Sequence, residues 1–408
     1  MPERFRTLND VDVRGKRVLV RVDLNVPYDA GTGKIADSDR VREHAKTLRE
    51  LSDRGARVVV LAHQGRKGGP DFIPLRQHAE LLGKHVGKRV EYVSDTIGDR
   101  AKARIRSLRD GDIILLENVR FLDDETLSLP PEEHARSSIV RELAPLVDIF
   151  VNDAFSVAHR SHASTVGFTA VLPSVAGRVM ESEVRSIERL LSARLPITFI
   201  LGGAKVDDCL AIMDRAFGRG IVEAVLTGGI LSQLFLMARG CRLGKTTGFL
   251  ERKGFLKLLP QVRGLYDEHG DRIVLPVDVA VELDGKRREV GVDELPIDAL
   301  IMDIGSRTAG RYAEIIKDAA MIVFKGPLGV YEREGFGEGT RIVLDAVASS
   351  SAFSLVGGGD TLSALERIGV DKNRFSHVSL GGGALVVYLS GKPMPAIEAL
   401  RKGCKGAF

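Results

Sequence analysis

Five short stretches in the first half of the chain carry groups able to grip an anion. They are Arg21, Asp23 and Asn25 in RVDLNVP, Arg40 in DSDRVR, His63 and Arg66 in HQGR, Arg120 in ENVRF, and His159, Arg160 and His162 in AHRSH. Guanidinium forks hold phosphate and carboxylate through paired hydrogen bonds. Gathered at one sheet edge, at strand ends or just beyond, these groups would form a positive cup for a small phosphorylated acid. Asp23 and Asn25 would then hold a substrate hydroxyl. Any one arginine alone reads as a surface ion pair, and any one histidine as a hydrogen-bonded structural residue. Their convergence is what favours a site. His159 and His162 have no third ligand candidate nearby, which argues against zinc.

The second half carries a different pattern. Glycines follow the apolar runs directly: GGAK after 197–201, GG after 223–227, KGPLG after 321–324, GGGDT after 352–356, and GGG at 381–383. Without a Cβ, such positions let backbone N–H groups and helix N-termini reach phosphate oxygens. One pair would be an ordinary turn; the repetition points to a nucleotide, even if some glycines only support helix–strand packing. GCRLGKTT at 240–247 imitates a P-loop, but three residues separate Gly240 from Gly244 where that motif has four. A helical stretch at 230–239 precedes it, so it reads as a loop.

The elements that must position these groups alternate. Nearly continuous apolar runs at 17–23, 57–63, 112–118 and 149–153 suit strands buried on both faces. Helical patterns at 38–54, 74–86 and 131–146 lie between them. Further runs follow at 197–203, 223–229, 272–276, 299–304, 321–326, 353–359 and 377–383. This βα alternation predicts an α/β fold with two doubly wound, parallel-sheet (Rossmann-like) domains, in which ligands bind beyond the carboxyl ends of the strands. Residues 174–194 read as one charged amphipathic helix followed by Pro196. The expected division is an N-terminal domain 1–175, a connecting helix 176–194 and a C-terminal domain 195–389.

Composition narrows the classes. The 408 residues allow two or three domains of about 150 each. With 44% hydrophobic and 28% charged residues the chain is neither disordered nor collagen-like. No apolar run approaches the roughly 20 residues of a membrane-spanning helix. MPERFRTLND has no apolar core of a secretory signal. Cys209, Cys241 and Cys404 are scattered and form no CxxC, which fits a cytoplasmic protein without a disulfide framework. The net charge is +4, with no basic run, no tryptophan and 5% aromatics, so a nucleic-acid surface has little to build on.

The motifs resemble those of the phosphoglycerate kinase family over essentially the whole chain. RVDLNVP at 21–27 resembles its signature, and HQGR, LLENVRF, VNDAFSVAHRSHAST, LGGAKV, PVDVAV, GPLGVYE and GGGDT follow in the family's order. HQGR and the short loops are similar to the archaeal branch. The resemblance implies an N-terminal domain for 3-phosphoglycerate and a C-terminal domain for ATP or ADP with Mg²⁺. It also implies a tail, 390–408, returning to the first domain, and hinge closure to bring the substrates together. Asp23, Asn25, Arg40, His63, Arg66, Arg120 and Arg160 are similar to the substrate-binding set, and Arg40 would also stabilise the transferring phosphoryl group. Gly203, Ala204, Gly228, Pro327, Val330 and Glu332 resemble the adenosine site. Lys205 resembles the phosphate-binding lysine. Gly359, Asp360 and Thr361 resemble the metal and phosphate contacts, with Asp360 on the metal. Gly381, Gly382 and Gly383 resemble the helix terminus near the transferring phosphate. The resemblance leads us to expect a monomer with small-molecule substrates and neither nucleic acid nor membrane as partner.

Three positions depart from that pattern. Cys209 stands in AKVDDC where many members carry lysine, Lys325 stands in KGPLG where asparagine is usual, and Leu380 in SLGGG lacks a hydroxyl. Lys325 is expected to supply the charge absent at Cys209. The acceptor in this family is a carboxylate, already ionised at neutral pH, so a general base is unnecessary. Two other readings are weighed against this one: a polyanion binder using the same basic cup, and a related nucleotide enzyme of altered specificity.

Overall fold

The computed structural model describes residues 5–192 and 195–403. The chain forms two compact units. Among the described residues, the first runs to Arg185 and takes in residues 393–403; the second is Ser186–Lys392.

The first unit is built on six parallel strands in the order Val90–Tyr92, Ile113–Leu115, Arg57–Leu61, Arg17–Arg21, Ile149–Asn152 and Ser174–Ala176. Alternate residues of the central strands serve two cores: Val18, Val20, Val58 and Val60 face one, and Leu19, Val59 and Leu61 the other. A strand buried on both faces needs an unbroken apolar run, which is what these segments supply. Helix Asp39–Asp53 buries Val41, Ala45, Leu48 and Leu51 at helical spacing and carries Arg40 in its first turn. Arg40 therefore reaches the site from a helix and not, as its grouping with the strand ends implied, from the sheet edge.

Two helical expectations in this half are corrected. The stretch 131–146 is not continuous but divides into Pro131–His134, Ser138–Leu143 and a 3₁₀ turn, Ala144–Leu146. The Asp124 carboxylate accepts hydrogen bonds from Ser138 N at 2.6 Å and Ser138 Oγ at 2.7 Å, so the chain starts a new helix there. The stretch 174–194 is not one helix either. Ser174–Ala176 pairs with Phe150–Asn152 as the sixth strand, and the helix is Arg178–Ser192. Three apolar-compatible residues beside an open sheet edge gain ladder hydrogen bonds that sequence periodicity does not register. Residues 193–194 lie outside the described residues. Helix Pro395–Gly403 belongs to the first unit, with Ala396 N donating to Ala158 O at 3.1 Å. Residues 404–408 of the expected returning tail also lie outside the described residues.

The second unit has six parallel strands in the order Ile273–Val274, Val222–Thr227, Ile197–Leu201, Met321–Lys325, Phe353–Gly357 and His377–Ser379. Its core includes Ile200, Leu226, Ile322, Phe324 and Val356. The run 299–304, expected to continue the βα alternation, instead supplies Ile301–Ile304 to a separate antiparallel sheet with Asp278–Leu283 and Lys286–Gly291. Asp284 and Gly285 both have positive φ, 51° and 72°, and make the tight hairpin that creates this sheet. The pseudo-P-loop is also only partly a loop. Lys245–Thr247 form the first turn of helix Lys245–Arg252, which follows another helix, Gly229–Ala238, and no strand. No helix among the described residues is long and apolar enough to cross a membrane.

Candidate active site

In the first unit the arginines are held by a buried network that begins at Arg21. Its guanidinium, 1% exposed, donates to Ser164 Oγ at 2.8 Å, to His63 Nδ1 at 3.0 Å and to Val22 O. Ser164 in turn donates through its hydroxyl (2.6 Å) and backbone N–H (2.9 Å) to the two oxygens of Glu125. Burial pushes the Glu125 carboxyl up to about 6, against the pull of Arg21 and Ser164. Because arginine can only donate, His63 Nδ1 accepts and the ring proton sits on Nε2. Burial, reinforced by Arg21, Arg120 and Arg40 and opposed by Asp23, holds His63 well below the usual imidazole range.

Asp23 is equally buried. Its carboxylate accepts from Arg40 Nη1 at 2.5 Å, from Asn25 N at 2.9 Å and from Ser156 Oγ. Burial alone would raise this carboxyl; Arg40, His63 and the hydrogen bonds from Ser156 and Asn25 overcome it and hold Asp23 far below the carboxylate range. Asn25 Oδ1 accepts from Gly65 N at 2.8 Å, which ties the RVDLN segment to the HQGR loop. Arg120 donates to Gly65 O on the same loop.

Arg66, Arg120 and Arg160 line one pocket of about 290 Å³ together with Lys67, Asp123 and His162, whereas Arg21, Asp23, Asn25, Arg40 and His63 do not line it. Burial and the fields of Arg21 and Arg160 lower Arg120 to about 10. Burial and Arg66 lower Arg160. Like charges crowded this way bind an anion at a gain, since the anion supplies the missing counter-charge. A larger pocket of about 460 Å³, beside Pro131, Leu172 and Ala399, offers only Lys402 and Glu132 as charged groups. The sequence reading missed Glu125, Ser164 and Ser156. Glu125 lies 39 residues from Ser164, and no spacing in the sequence joins them.

The buried histidines have a consequence for stability. Burial pushes His78 down to about 4 and His162 to about 3, and lowers His63 and His159 as well. A histidine with a depressed folded-state pKa contributes stability that is complete above about 6.5 and is lost as pH falls, because the unfolded chain takes up the proton first. Glu125 and Asp303, each raised to about 6, act the other way between about 6 and 4. Four histidines outweigh two carboxyls, and a melting temperature at pH 5 lower than at pH 7 by about 5 °C or more is expected. A pH-independent melt between 5 and 7 would contradict these burial assignments.

In the second unit the strand-end loops pack backbone against backbone. A Cβ on Gly202 would stand 2.4 Å from Pro327 O, and one on Gly228 2.4 Å from the Leu328 side chain. Part of the glycine pattern thus serves packing, which brings Gly203, Gly228 and Pro327 to the ends of three neighbouring strands. Ala204 and Lys205 are exposed just ahead of helix Val206–Gly218, and Lys205 Nζ donates to Asp360 Oδ2 at 2.9 Å. Gly359 and Asp360 are exposed at the start of helix Gly359–Ile368. Thr361 is buried; its hydroxyl accepts from Gly326 N and donates to Gly357 O, both at 2.8 Å, so it clamps two loops together. Val330 is exposed and its N–H donates to Met302 O at 2.8 Å. Glu332 is exposed, and its backbone carbonyl accepts from Arg367. Gly382, with φ 52°, precedes helix Gly383–Leu389.

Lys325 ends its strand with a buried ammonium, 5% exposed. Nζ lies 3.4 Å from Asp208 Oδ2, 3.4 Å from Lys205 O and 3.5 Å from Cys209 Sγ. The structure therefore places the two departures from the common motif side by side. Burial pushes the Cys209 thiol up, against Lys325, so the thiol is an inert neighbour and not a nucleophile.

A pocket crowded with guanidinium groups suits an anionic ligand, and glycine-rich loops end several strands of the other unit's parallel sheet. That combination defines the class as a two-unit α/β protein with a site for an anion. Comparison with known proteins then makes it particular. The family model for phosphoglycerate kinase matches residues 8–392. The phosphoglycerate kinase of Methanopyrus kandleri is 46% identical over 402 residues, 98% of each chain. That of Methanothermobacter thermautotrophicus is 45% identical over 401 residues, covering 98% of this chain and 97% of the relative. The crystal structure of phosphoglycerate kinase from Pyrococcus horikoshii OT3 superposes with a TM-score of 0.91 at 36% identity, over 98% of this chain and 99% of the other. The structure from Coxiella burnetii gives 0.83 at 33% identity, with the same coverage. The chain belongs to the phosphoglycerate kinase family. It is a kinase whose phosphoryl acceptor is a carboxyl group, and its substrates are ATP and 3-phosphoglycerate.

Proposed function

We propose that the first unit binds 3-phosphoglycerate through Asp23, Asn25, Arg40, His63, Arg66, Arg120 and Arg160, and that the second unit holds the nucleotide. The observation carrying this is the convergence of Arg66, Arg120 and Arg160 on one pocket while Asp23, Arg40 and His63 share one buried network. The pocket suits the phosphate end of the substrate, and Asp23 with Asn25 its hydroxyl. The attacking carboxylate arrives ionised, so no residue need take a proton from it. Asp23 is too acidic to serve as a base, and His63 is held as a neutral donor. What remains for the protein is positioning and charge stabilisation by Arg40, Lys205 and the N–H groups around Gly382.

The adenosine moiety is assigned to Gly203, Ala204, Gly228, Pro327, Val330 and Glu332, with Glu332 on the ribose. The phosphates are assigned to Lys205, Lys325, Gly359 and Thr361. Asp360 fits a divalent cation carried in by the nucleotide: it is an exposed carboxylate at a helix start, already paired with a cation, Lys205. Mg²⁺ commonly takes one or two carboxylates with phosphate oxygens completing its shell. When bound it would neutralise charge on the phosphates. We place the protein in the cytoplasm as a monomer, in keeping with its small-molecule substrates.

The test is phosphoryl transfer from ATP to 3-phosphoglycerate, coupled to an acyl-phosphate-reducing dehydrogenase, with and without chelator. Turnover abolished by chelator and restored by Mg²⁺ is expected. Arg160→Ala should raise KM for 3-phosphoglycerate at least about tenfold, the loss of one charged hydrogen-bonding partner. An unchanged KM would remove Arg160 from the site.

A further inference from the structure

A buried chain of hydrogen bonds leaves the substrate site by a route the reaction itself does not use. Asp23 N donates to His44 Nε2 at 3.2 Å, and His44 Nδ1 lies 2.9 Å from Asp153 Oδ2. The other oxygen of Asp153 accepts from Val179 N at 2.8 Å and Met180 N at 3.4 Å, in the first turn of helix Arg178–Ser192. Asp23, His44 and Asp153 are 1%, 2% and 0% exposed. We propose that His44 and Asp153 are positioning residues that couple occupancy of the Asp23–Arg40 end of the substrate site to the start of helix Arg178–Ser192.

The direction of every link is set by chemistry. A backbone N–H can only donate, so His44 Nε2 must accept, and the ring proton lies on Nδ1, where it is given to Asp153. His44 stands one turn beyond Arg40 on helix Asp39–Asp53, so both ends of the Asp23 segment are held from one helix: its carboxylate by Arg40 and its N–H by His44. Gly177 makes room at the far end. A Cβ there would lie 2.2 Å from Asp153 Oδ1. A carboxylate serving only as a helix cap would use the N–H groups alone; here the second oxygen is spent on His44.

The helix at the far end is the one in which the two units divide, between Arg185 and Ser186. A shift of Asp23 and Arg40 onto a ligand is thereby passed to the segment the units share. A second tie joins the same two helices independently: Arg178 donates to Glu50 at 2.6 and 2.8 Å. That ion pair supplies a control, since it can be broken without touching the relay.

The proposal rests on the reading that Asp23 and Arg40 bind substrate. The test is amide hydrogen exchange on the full-length protein with and without 3-phosphoglycerate. In the wild type, ligand should slow exchange at residues 179–185 by about fivefold or more. Asp153→Asn should abolish this effect. The amide still accepts from Val179 N, but its NH₂ faces His44 Nδ1 and forces the ring proton onto Nε2, against the Asp23 N–H. His44→Phe, which keeps a planar ring of similar shape but has neither the acceptor for Asp23 N–H nor the donor to Asp153, should abolish it too, and guards against a misfolded Asp153 variant. Glu50→Gln should leave it intact. Ligand-dependent slowing that persists in both relay variants, or that is absent from the wild type, overturns the coupling. Calorimetry of 3-phosphoglycerate on Arg40→Ala separates the two claims. Unchanged affinity there overturns the site reading, whereas lost affinity together with persistent slowing in the relay variants overturns only the relay.

Discussion

Arg40→Ala is expected to lower kcat by about 10²–10³ while KM for ATP stays within a few-fold of wild type, because one preorganised charge facing the transferred group is worth about 2.7–4 kcal/mol of barrier. The side chain is firmly held. It sits in the first turn of helix Asp39–Asp53, a quarter exposed, with Nη1 fixed by Asp23 Oδ2 at 2.5 Å and Asn25 O at 3.2 Å. A guanidinium so fixed keeps its orientation without reorganising as charge builds on the phosphoryl oxygens. The substitution also strips a cation from a buried carboxylate, at a cost to stability of about 1.5–3 kcal/mol. Thermal melts must therefore accompany the kinetics. Arg40→Lys separates the contributions: it keeps the charge near Asp23, loses the fork, and should recover stability more fully than rate. The assay is steady-state turnover with each substrate varied in turn. A rate for Arg40→Ala within a few-fold of wild type in a folded enzyme would sink the assignment.

With Lys325 assigned to the nucleotide phosphates as proposed, Lys325→Asn should lower kcat by about tenfold to a hundredfold, with a rise in KM for ATP, since charge at that position would act on both ground state and transition state. Lys325 Nζ is buried within 3.5 Å of Cys209 Sγ and Asp208 Oδ2. Asparagine is shorter and neutral, so Asp208 loses its cation at the same time. If the ammonium at 325 stands in for one absent at 209, Lys325→Asn combined with Cys209→Lys should regain much of the lost rate. Single-variant activity close to wild type would show that the ammonium is structural. Failure of the double variant to improve on the single one would show that the two positions are not exchangeable.

The legible part of the site was the part built from neighbours in sequence. Arg21, Asp23 and Asn25 share one strand end, and His63 with Arg66 another, so charged and polar groups directly after an apolar run mark them without any fold. Arg66, Arg120 and Arg160 could be listed from the chain; that they meet in one pocket depends on strand order. Residues that position these groups were not legible. Glu125, Ser164, His44 and Asp153 act across 39 to 143 residues of sequence, and a buried glutamate in a turn or a buried histidine in a helical pattern looks like any other polar residue until its partner is known. The two short outer strands, Val90–Tyr92 and Ser174–Ala176, escaped for a related reason: three residues carry too little periodicity to declare a strand, and only a neighbouring edge makes them one.

By itself, then, the amino-acid sequence determined the alternation of strands and helices, the glycines at strand ends, the kinship and the inventory of charged groups. Each is written in local spacing or in side-chain chemistry. The tertiary structure decided which of those charges are buried and against what. It put Arg40 on a helix facing Asp23, set Lys325 beside Cys209, turned Thr361 into a clamp between loops and threaded His44 and Asp153 from Asp23 to a helix start. The physical reason is that hydrogen bonds and buried charges are strong only at contact distance and out of water. Contact between distant segments is a property of strand order and packing, which no local stretch of the chain contains.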